Sequence, residues 1–166
     1  MVLIGGGSRS GKSRFALDYA RRCGSRLAFI ATAQAYDDEM RDRIRNHQLE
    51  RDAAFTTFEE PFDIPGAIRR AAGCDALVID CLTLWVSNLM LAGNRDIVQE
   101  TAALVEAAEA AEATLIFVTN EVGCGIVPEN ELARRFRDEA GRVNQMIGAA
   151  AREVYWMAFG IPMRAK

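Results

Sequence analysis

Met1-Val2-Leu3-Ile4-Gly5-Gly6-Gly7-Ser8-Arg9-Ser10-Gly11-Lys12-Ser13, residues 1–13, is the stretch from which the rest of the chain can be read. Met1 to Ile4 is a short apolar run closed by Gly5-Gly6-Gly7, and beyond Gly11 the residues Phe15, Ala16, Tyr19 and Ala20 recur at helical spacing. Strand, glycine loop and helix therefore follow one another. Residues Gly6 to Ser13 match G-x-x-x-x-G-K-S/T, the pattern of a phosphate-binding P-loop, and they do so between a predicted strand and a predicted helix. A chance lysine in a glycine-rich turn would not need that context. Glycines let backbone N–H groups close around phosphate, and the helix dipole favours negative charge there. Gly6, Gly7, Ser8, Arg9, Ser10 and Gly11 are the candidate cradle, Lys12 reaches the outer phosphates, and Ser13 is a candidate magnesium ligand.

Outward from the loop, strands and helices alternate. Leu27 to Thr32 reads as a second strand, and Asp37 and Asp38 start a charged helix running to about Arg51. Phe55 to Phe58 is a short strand, helix resumes after Pro61, and Ala76 to Asp80 is a buried strand ending in an acid. Leu82 to Leu91 is helical until Gly93 and Asn94 break it. Ile97 to Ala113 is an alanine-rich helix, Thr114 to Thr119 a buried strand, Glu129 to Ala151 a long helix, and Val154 to Phe159 the last long strand. Apolar strands separated by helices require a mostly parallel sheet with helices on both faces, an α/β three-layer fold.

The 166 residues are expected to form a single domain spanning residues 1–166, half of them hydrophobic and about a quarter charged. A net charge of −3 gives no broad positive field, so neither a nucleic acid nor an anionic membrane is an expected partner. Cys23, Cys74, Cys81 and Cys124 form no C-x-x-C pair and the chain has one histidine, which argues against a Cys/His zinc site. No leader or membrane-spanning apolar run is evident, and the expected location is the cytoplasm, with reduced thiols.

Asp80, at the end of a buried strand, is the candidate acid that holds magnesium through its hydration shell, although acids also end strands as caps or solvated loop residues. His47 shares a helical face with Met40, Arg43 and Ile44, and spacing alone favours a packed or solvated structural residue. Its company points to chemistry. Arg43, Arg45 and Arg51 lie nearby in sequence, and a neutral imidazole is a competent nucleophile; the same arginines also suit a solvated face paired with Glu39, Asp42 and Glu50. Asn120 and Glu121 follow a strand end, where such sheets place ligands, and Arg134, Arg135 and Arg137 suit either an anionic substrate or helix-surface ion pairs.

The stretches GGSRSGKSRFA at 6–16, IATAQAYDDEMRDRI at 30–44 followed by His47, DCLTLWVSNL at 80–89 and TNEVGCGIVPENELARRFRDEAGRVNQ at 119–145 carry a resemblance nearly from end to end. They resemble the bifunctional adenosylcobinamide kinase/adenosylcobinamide-phosphate guanylyltransferase family of cobalamin biosynthesis. That resemblance implies a RecA-like P-loop NTPase fold and two reactions: phosphorylation of adenosylcobinamide by ATP or GTP, then transfer of GMP from GTP through a histidine to adenosylcobinamide phosphate. By the resemblance His47 is the guanylylated residue, Gly6 to Ser13 hold the GTP phosphates, and Thr32, Ala33 and Gln34 lie near the nucleotide; Arg51, close to His47 in sequence, is a further nucleotide-binding candidate. Glu59 and Asp80 complete the nucleotide and Mg2+ surroundings, and a homotrimer is implied. The segment at 48–53 departs from the family by lacking a proline and a tryptophan often found there. Two other readings stay open on the residues themselves: a plain P-loop kinase with a structural His47, and a nucleotide-dependent regulatory module.

Overall fold

The computed structural model of the chain describes residues 1–34, 53–93 and 95–166. Its strands are β1 (Val2–Gly6), β2 (Leu27–Ala31), β3 (Phe55–Glu59), β4 (Ala76–Asp80), β5 (Thr114–Val118), β6 (Glu153–Ala158) and β7 (Ile161–Arg164). Its helices are α1 (Lys12–Cys23), α2 (Ile64–Arg70), α3 (Leu82–Ala92), α4 (Ile97–Ala110) and α5 (Glu131–Ala150). The helix expected from Asp37 to Arg51, and the break at Asn94, lie outside the described residues.

One sheet of order β3-β2-β4-β5-β1-β6-β7 contains every strand among the described residues, parallel throughout except for the β6–β7 pair. Side chains alternate between its faces because successive strand residues point oppositely. Val2, Ile4, Leu27, Phe29, Val78 and Ile116 pack with Ala16, Leu17 and Ala20 of α1. Leu3, Ile30, Leu77, Ile79, Leu115 and Phe117 face the other way, into a core that includes Ile64, Trp85, Leu104 and Val143 from α2, α3, α4 and α5. The three expected layers are present. Parallel strands buried on both faces read as unbroken apolar runs, which is why β4 and β5 were visible in sequence.

Helix starts show which ends the fold closes for itself. Asp63 caps α2 at Gly66 N, Asp96 caps α4 at Val98 N and Gln99 N, and Asn130 caps α5 at Ala133 N. Asn130 moves the start of α5 two residues past the expected Glu129, since its extended backbone belongs to a cap. At α1 the cap position is Gly11, which has no side chain to give, so the first-turn N–H groups remain open.

β7 was not expected. Phe159 and Gly160 turn the chain back with φ of 54° and 81°, both positive as in a type I′ hairpin turn. The usual Asn-Gly or Asp-Gly signal is replaced by Phe-Gly, which hides the hairpin. Pro162, lacking an N–H, lies on this outermost strand, where a missing donor is tolerated.

The edge of the sheet opposite the strand carboxyl ends is tied by Asp75. Its Oδ1 accepts from Arg26 Nη2 at 2.6 Å and Nε at 3.1 Å, and its Oδ2 accepts from Ser25 N and Arg26 N, both at 2.9 Å. Hydrogen bonding from Arg26 is the main cause that brings this carboxyl down to about 2. Its folded value lies below the ~3.9 of an unfolded aspartate, so its stabilisation is complete above that value and is lost as pH falls through about 2. Asp75→Asn is expected to lower the melting temperature at neutral pH and to remove part of the acid sensitivity between about pH 4 and about pH 2, measured as thermal melts over that range. Equal slopes for the two proteins would refute the assignment.

Candidate nucleotide site at the strand ends

β1 lies between β5 and β6 and is buried along its whole length, so the loop after Gly6 starts from a fixed point. Gly6 has φ of 149°, and a Cβ there would sit 2.7 Å from the Met157 carbonyl oxygen, so β6 leaves room only for glycine. The loop is held from the same side at its far end: Gly160 N donates to Ser10 O at 3.1 Å. The β6–β7 hairpin thus braces the glycine loop. Gly7, Ser8 and Arg9 are exposed at its crest.

Lys12, the first residue of α1, is buried, and its Nζ donates to Gly7 O at 2.6 Å and contacts Ser10 Oγ at 3.5 Å. Burial pushes its pKa below the ordinary lysine value, against a smaller opposing effect of Asp80 and Cys81. Ser13 Oγ, one position on, donates to Asp80 Oδ2 at 2.8 Å. Two residues 67 apart in sequence therefore bring hard oxygen donors together beside an uncapped helix start and a lysine. Their chemistry suits magnesium, which prefers oxygen ligands and keeps several waters or substrate phosphates instead of an all-protein cage. Among the described residues no group of three or more His, Cys, Asp or Glu forms such a cage.

The other expected residues fall on the same sheet edge. Ala31 lies in register with Glu59 on one side and Asp80 on the other, so Glu59 stands two strands from Asp80, about 10 Å away at ordinary strand spacing. Glu59 is exposed, and Ala33 and Gln34 are half-buried where the chain leaves β2. His47 and Arg51 lie outside the described residues.

Thr32 is fully buried, and its hydroxyl faces the protein: it accepts from Cys81 N at 2.8 Å and donates to Cys81 O at 2.9 Å. Thr32 N donates to Asp80 O at 3.2 Å, and buried Asn88 on α3 donates to Thr32 O at 2.8 Å and Pro61 O at 3.0 Å. This latch fixes the end of β2 to the end of β4, next to Asp80. Sequence reasoning missed Asn88 and Cys81 because nothing local marks partners 49 or 56 positions away. The Cys81 thiol is pushed up to about 11, chiefly by burial, and contacts Thr83 Oγ1 at 3.1 Å, which makes it an inert packing group. Thr32→Val keeps the shape but strands two buried backbone groups, an expected loss of about 2–4 kcal/mol. Thr32→Ser should recover most of it in urea unfolding; equal stability of the valine and serine proteins would refute the latch.

Asn120 Nδ2 donates to Thr83 Oγ1 at 3.0 Å, and Glu121 N donates to Gly6 O at 3.1 Å, so the loop leaving β5 runs against the glycine loop. The Glu121 carboxylate accepts from Gly123 N. Arg137 donates to Gly123 O at 2.7 Å, and Arg134 to Pro128 O at 3.0 Å and Glu129 O at 2.5 Å. Those two arginines thus organise the preceding loop through its carbonyls, an arrangement outside both sequence expectations for them. Arg135 is exposed.

The family model described as "Cobinamide kinase / cobinamide phosphate guanyltransferase" matches residues 2–165. The bifunctional adenosylcobalamin biosynthesis protein CobP of Pseudomonas aeruginosa is 42% identical over 166 residues, covering 99% of this chain and 96% of that protein. The bifunctional adenosylcobalamin biosynthesis protein CobU of Salmonella typhimurium is 41% identical over 181 residues, covering 100% of this chain and 99% of the relative. In fold alone the chain is similar to the crystal structure of the RadB recombinase, with a TM-score of 0.52 at 15% identity over 93% of this chain and 72% of the other. A match of this extent, together with a P-loop opposed by a strand-end acid in a mostly parallel sheet, shows that the chain belongs to the cobinamide kinase/cobinamide phosphate guanyltransferase family.

Proposed function

We propose that this chain is a bifunctional enzyme of adenosylcobalamin biosynthesis that phosphorylates adenosylcobinamide and then joins GMP to the phosphate. The observation that carries the proposal is family membership along the whole chain, from residue 2 to residue 165. The convergence of Lys12, Ser13 and Asp80 supports the nucleotide half.

In the kinase step the terminal hydroxyl oxygen of adenosylcobinamide attacks the γ-phosphorus of ATP or GTP. An oxygen–phosphorus bond forms, the bond to the β-phosphate oxygen breaks, the nucleoside diphosphate leaves and the hydroxyl proton passes to solvent. Gly6 to Gly11 with the open N–H groups of α1 hold the phosphates, and Lys12 offsets charge as it builds on the leaving oxygens. Ser13 and Asp80 would hold Mg2+, which when bound neutralises phosphate charge. In the transferase step an imidazole nitrogen of His47 attacks the α-phosphorus of GTP and pyrophosphate leaves. A phosphate oxygen of adenosylcobinamide phosphate then displaces the imidazole, giving adenosylcobinamide-GDP. Thr32, Ala33, Gln34, Arg51 and Glu59 belong to the proposed nucleotide surroundings, Thr32 through its backbone position because its hydroxyl is committed to Cys81.

The same proposal takes residues 1–166 as one catalytic domain, acting in the cytoplasm as a homotrimer and without nucleic-acid or membrane partners. Among the described residues no helix is long and apolar enough to cross a membrane. The test is incubation of the purified chain with adenosylcobinamide, ATP, GTP and Mg2+, followed by mass analysis of the corrinoid. Appearance of adenosylcobinamide phosphate and then adenosylcobinamide-GDP supports both halves; phosphate alone supports a plain kinase, and unchanged corrinoid overturns the proposal.

A further inference from the structure

Both walls of an apolar groove grow from the strand ends that carry the nucleotide site. One wall is α3, which starts immediately after the Asp80 strand; the other is the first two turns of α5, reached through the loop that leaves β5. Thr83, Ser87 and Leu91 are spaced i, i+4 and i+8 and so lie on one stripe of α3. Thr83 is buried and bonded to Asn120, Ser87 is half-buried, and Leu91 is 60% exposed, so the stripe rises from the site to the surface over about 12 Å. Where it emerges, Met90 and Leu91 face Leu132, Ala133 and Phe136 across a groove of about 250 Å³, with Ser87 and Asn130 as its polar groups.

Further apolar surface borders it. Ile126 is 97% exposed, Val127 61% and Leu132 54%, and the loop bearing the first two is pinned on either side by Arg137 on Gly123 O and Arg134 on Pro128 O. A loop anchored at both flanks while presenting isoleucine and valine to water bears the mark of a binding surface.

We infer that this groove seats the corrin ring of the substrate, an inference that rests on the function proposed above. The required ligand is a broad macrocycle with apolar faces, amide arms on its rim and its reacting hydroxyl at the end of one arm. Apolar walls suit the face, Ser87 and Asn130 suit rim amides, and the Thr83 stripe leads the arm toward Asp80 and the glycine loop. The groove takes an edge of the ring and the surrounding exposed residues cover its face, since the cavity itself is smaller than the macrocycle.

The test uses two exposed positions, Leu132→Glu and Leu91→Glu, in the full chain, with adenosylcobinamide binding followed by equilibrium dialysis and corrin absorbance. Both variants should weaken corrinoid binding by about tenfold or more while leaving GTP affinity and melting temperature unchanged. Wild-type affinity in both variants would overturn the groove. No corrinoid binding by the wild-type chain, with or without Mg-GTP, would instead overturn the functional proposal beneath it. A change of oligomeric state in the variants, seen by light scattering, with intact corrinoid binding would reassign the face to contact between copies and equally overturn the inference.

Discussion

A His47→Ala protein is expected to bind GTP and to phosphorylate adenosylcobinamide, yet to form no covalent GMP adduct and no adenosylcobinamide-GDP. Transfer through an enzyme-bound GMP needs a nucleophile that attacks phosphorus at neutral pH and leaves again afterwards. An unperturbed imidazole, titrating near ~6.5, is largely neutral there and is a good leaving group once protonated. The chain has one histidine, so no second imidazole can substitute. Removing a covalent nucleophile costs on the order of 10⁴-fold or more in rate, which places residual guanylyl transfer near background. The measurement is intact mass after incubation with Mg-GTP, repeated after mild acid, because a phosphoramidate is labile to acid and stable to base. An adduct of unchanged stoichiometry on the alanine protein would remove His47 from the mechanism. Loss of the adduct together with loss of kinase activity would show that the substitution acts on the fold or on the shared nucleotide site.

Legibility in the sequence followed the range of the interactions involved. The glycine loop was readable because its requirements are local: a positive φ, close backbone approach and a helix start within eight residues. Asp80 was readable because a buried parallel strand is an unbroken apolar run and its last residue stands out. The meeting of Asp80 with Ser13 was implied by giving both to one magnesium ion, and the order β4-β5-β1 is what brings the two strand ends to a shared corner. The hydroxyl partners of Thr32 were not legible, because they lie on a neighbouring strand end 49 residues away. The apolar run places it at a strand end and the resemblance puts that end near the nucleotide; its buried hydroxyl bonds Cys81 at the end of the adjoining strand. The hairpin that braces Ser10 was hidden by a turn residue, Phe159, that rarely takes positive φ. Arg134 and Arg137 show a third kind of miss, in which charge suggests salt bridges or substrate while the actual acceptors are backbone carbonyls.

Lys12→Ala should reduce both reactions by about 10²–10³-fold, the scale expected when one preorganised charge donor to a transition state is removed. Both reactions are expected to fall together, because in the proposed mechanism one phosphate cradle serves the nucleoside triphosphate in each. In the free protein Lys12 sits buried with its ammonium on Gly7 O, and burial lowers its pKa. Bound phosphate supplies the negative charge that this burial lacks and shifts the equilibrium back toward the ammonium. Nucleotide binding is therefore expected to be linked to proton uptake once pH rises past the lowered pKa of the free state. Affinity for GTP should decline with rising pH in the alkaline range for the wild-type chain and lose that component in Lys12→Ala. Lys12→Arg keeps the charge but replaces a compact ammonium with a planar fork where the loop carbonyl lies only 2.6 Å from Nζ, and should restore little activity. Isothermal titration with GTP across pH, in two buffers of different protonation enthalpy, separates binding from proton uptake. Identical pH profiles for wild type and Lys12→Ala would show that the lysine ammonium does not meet the phosphates.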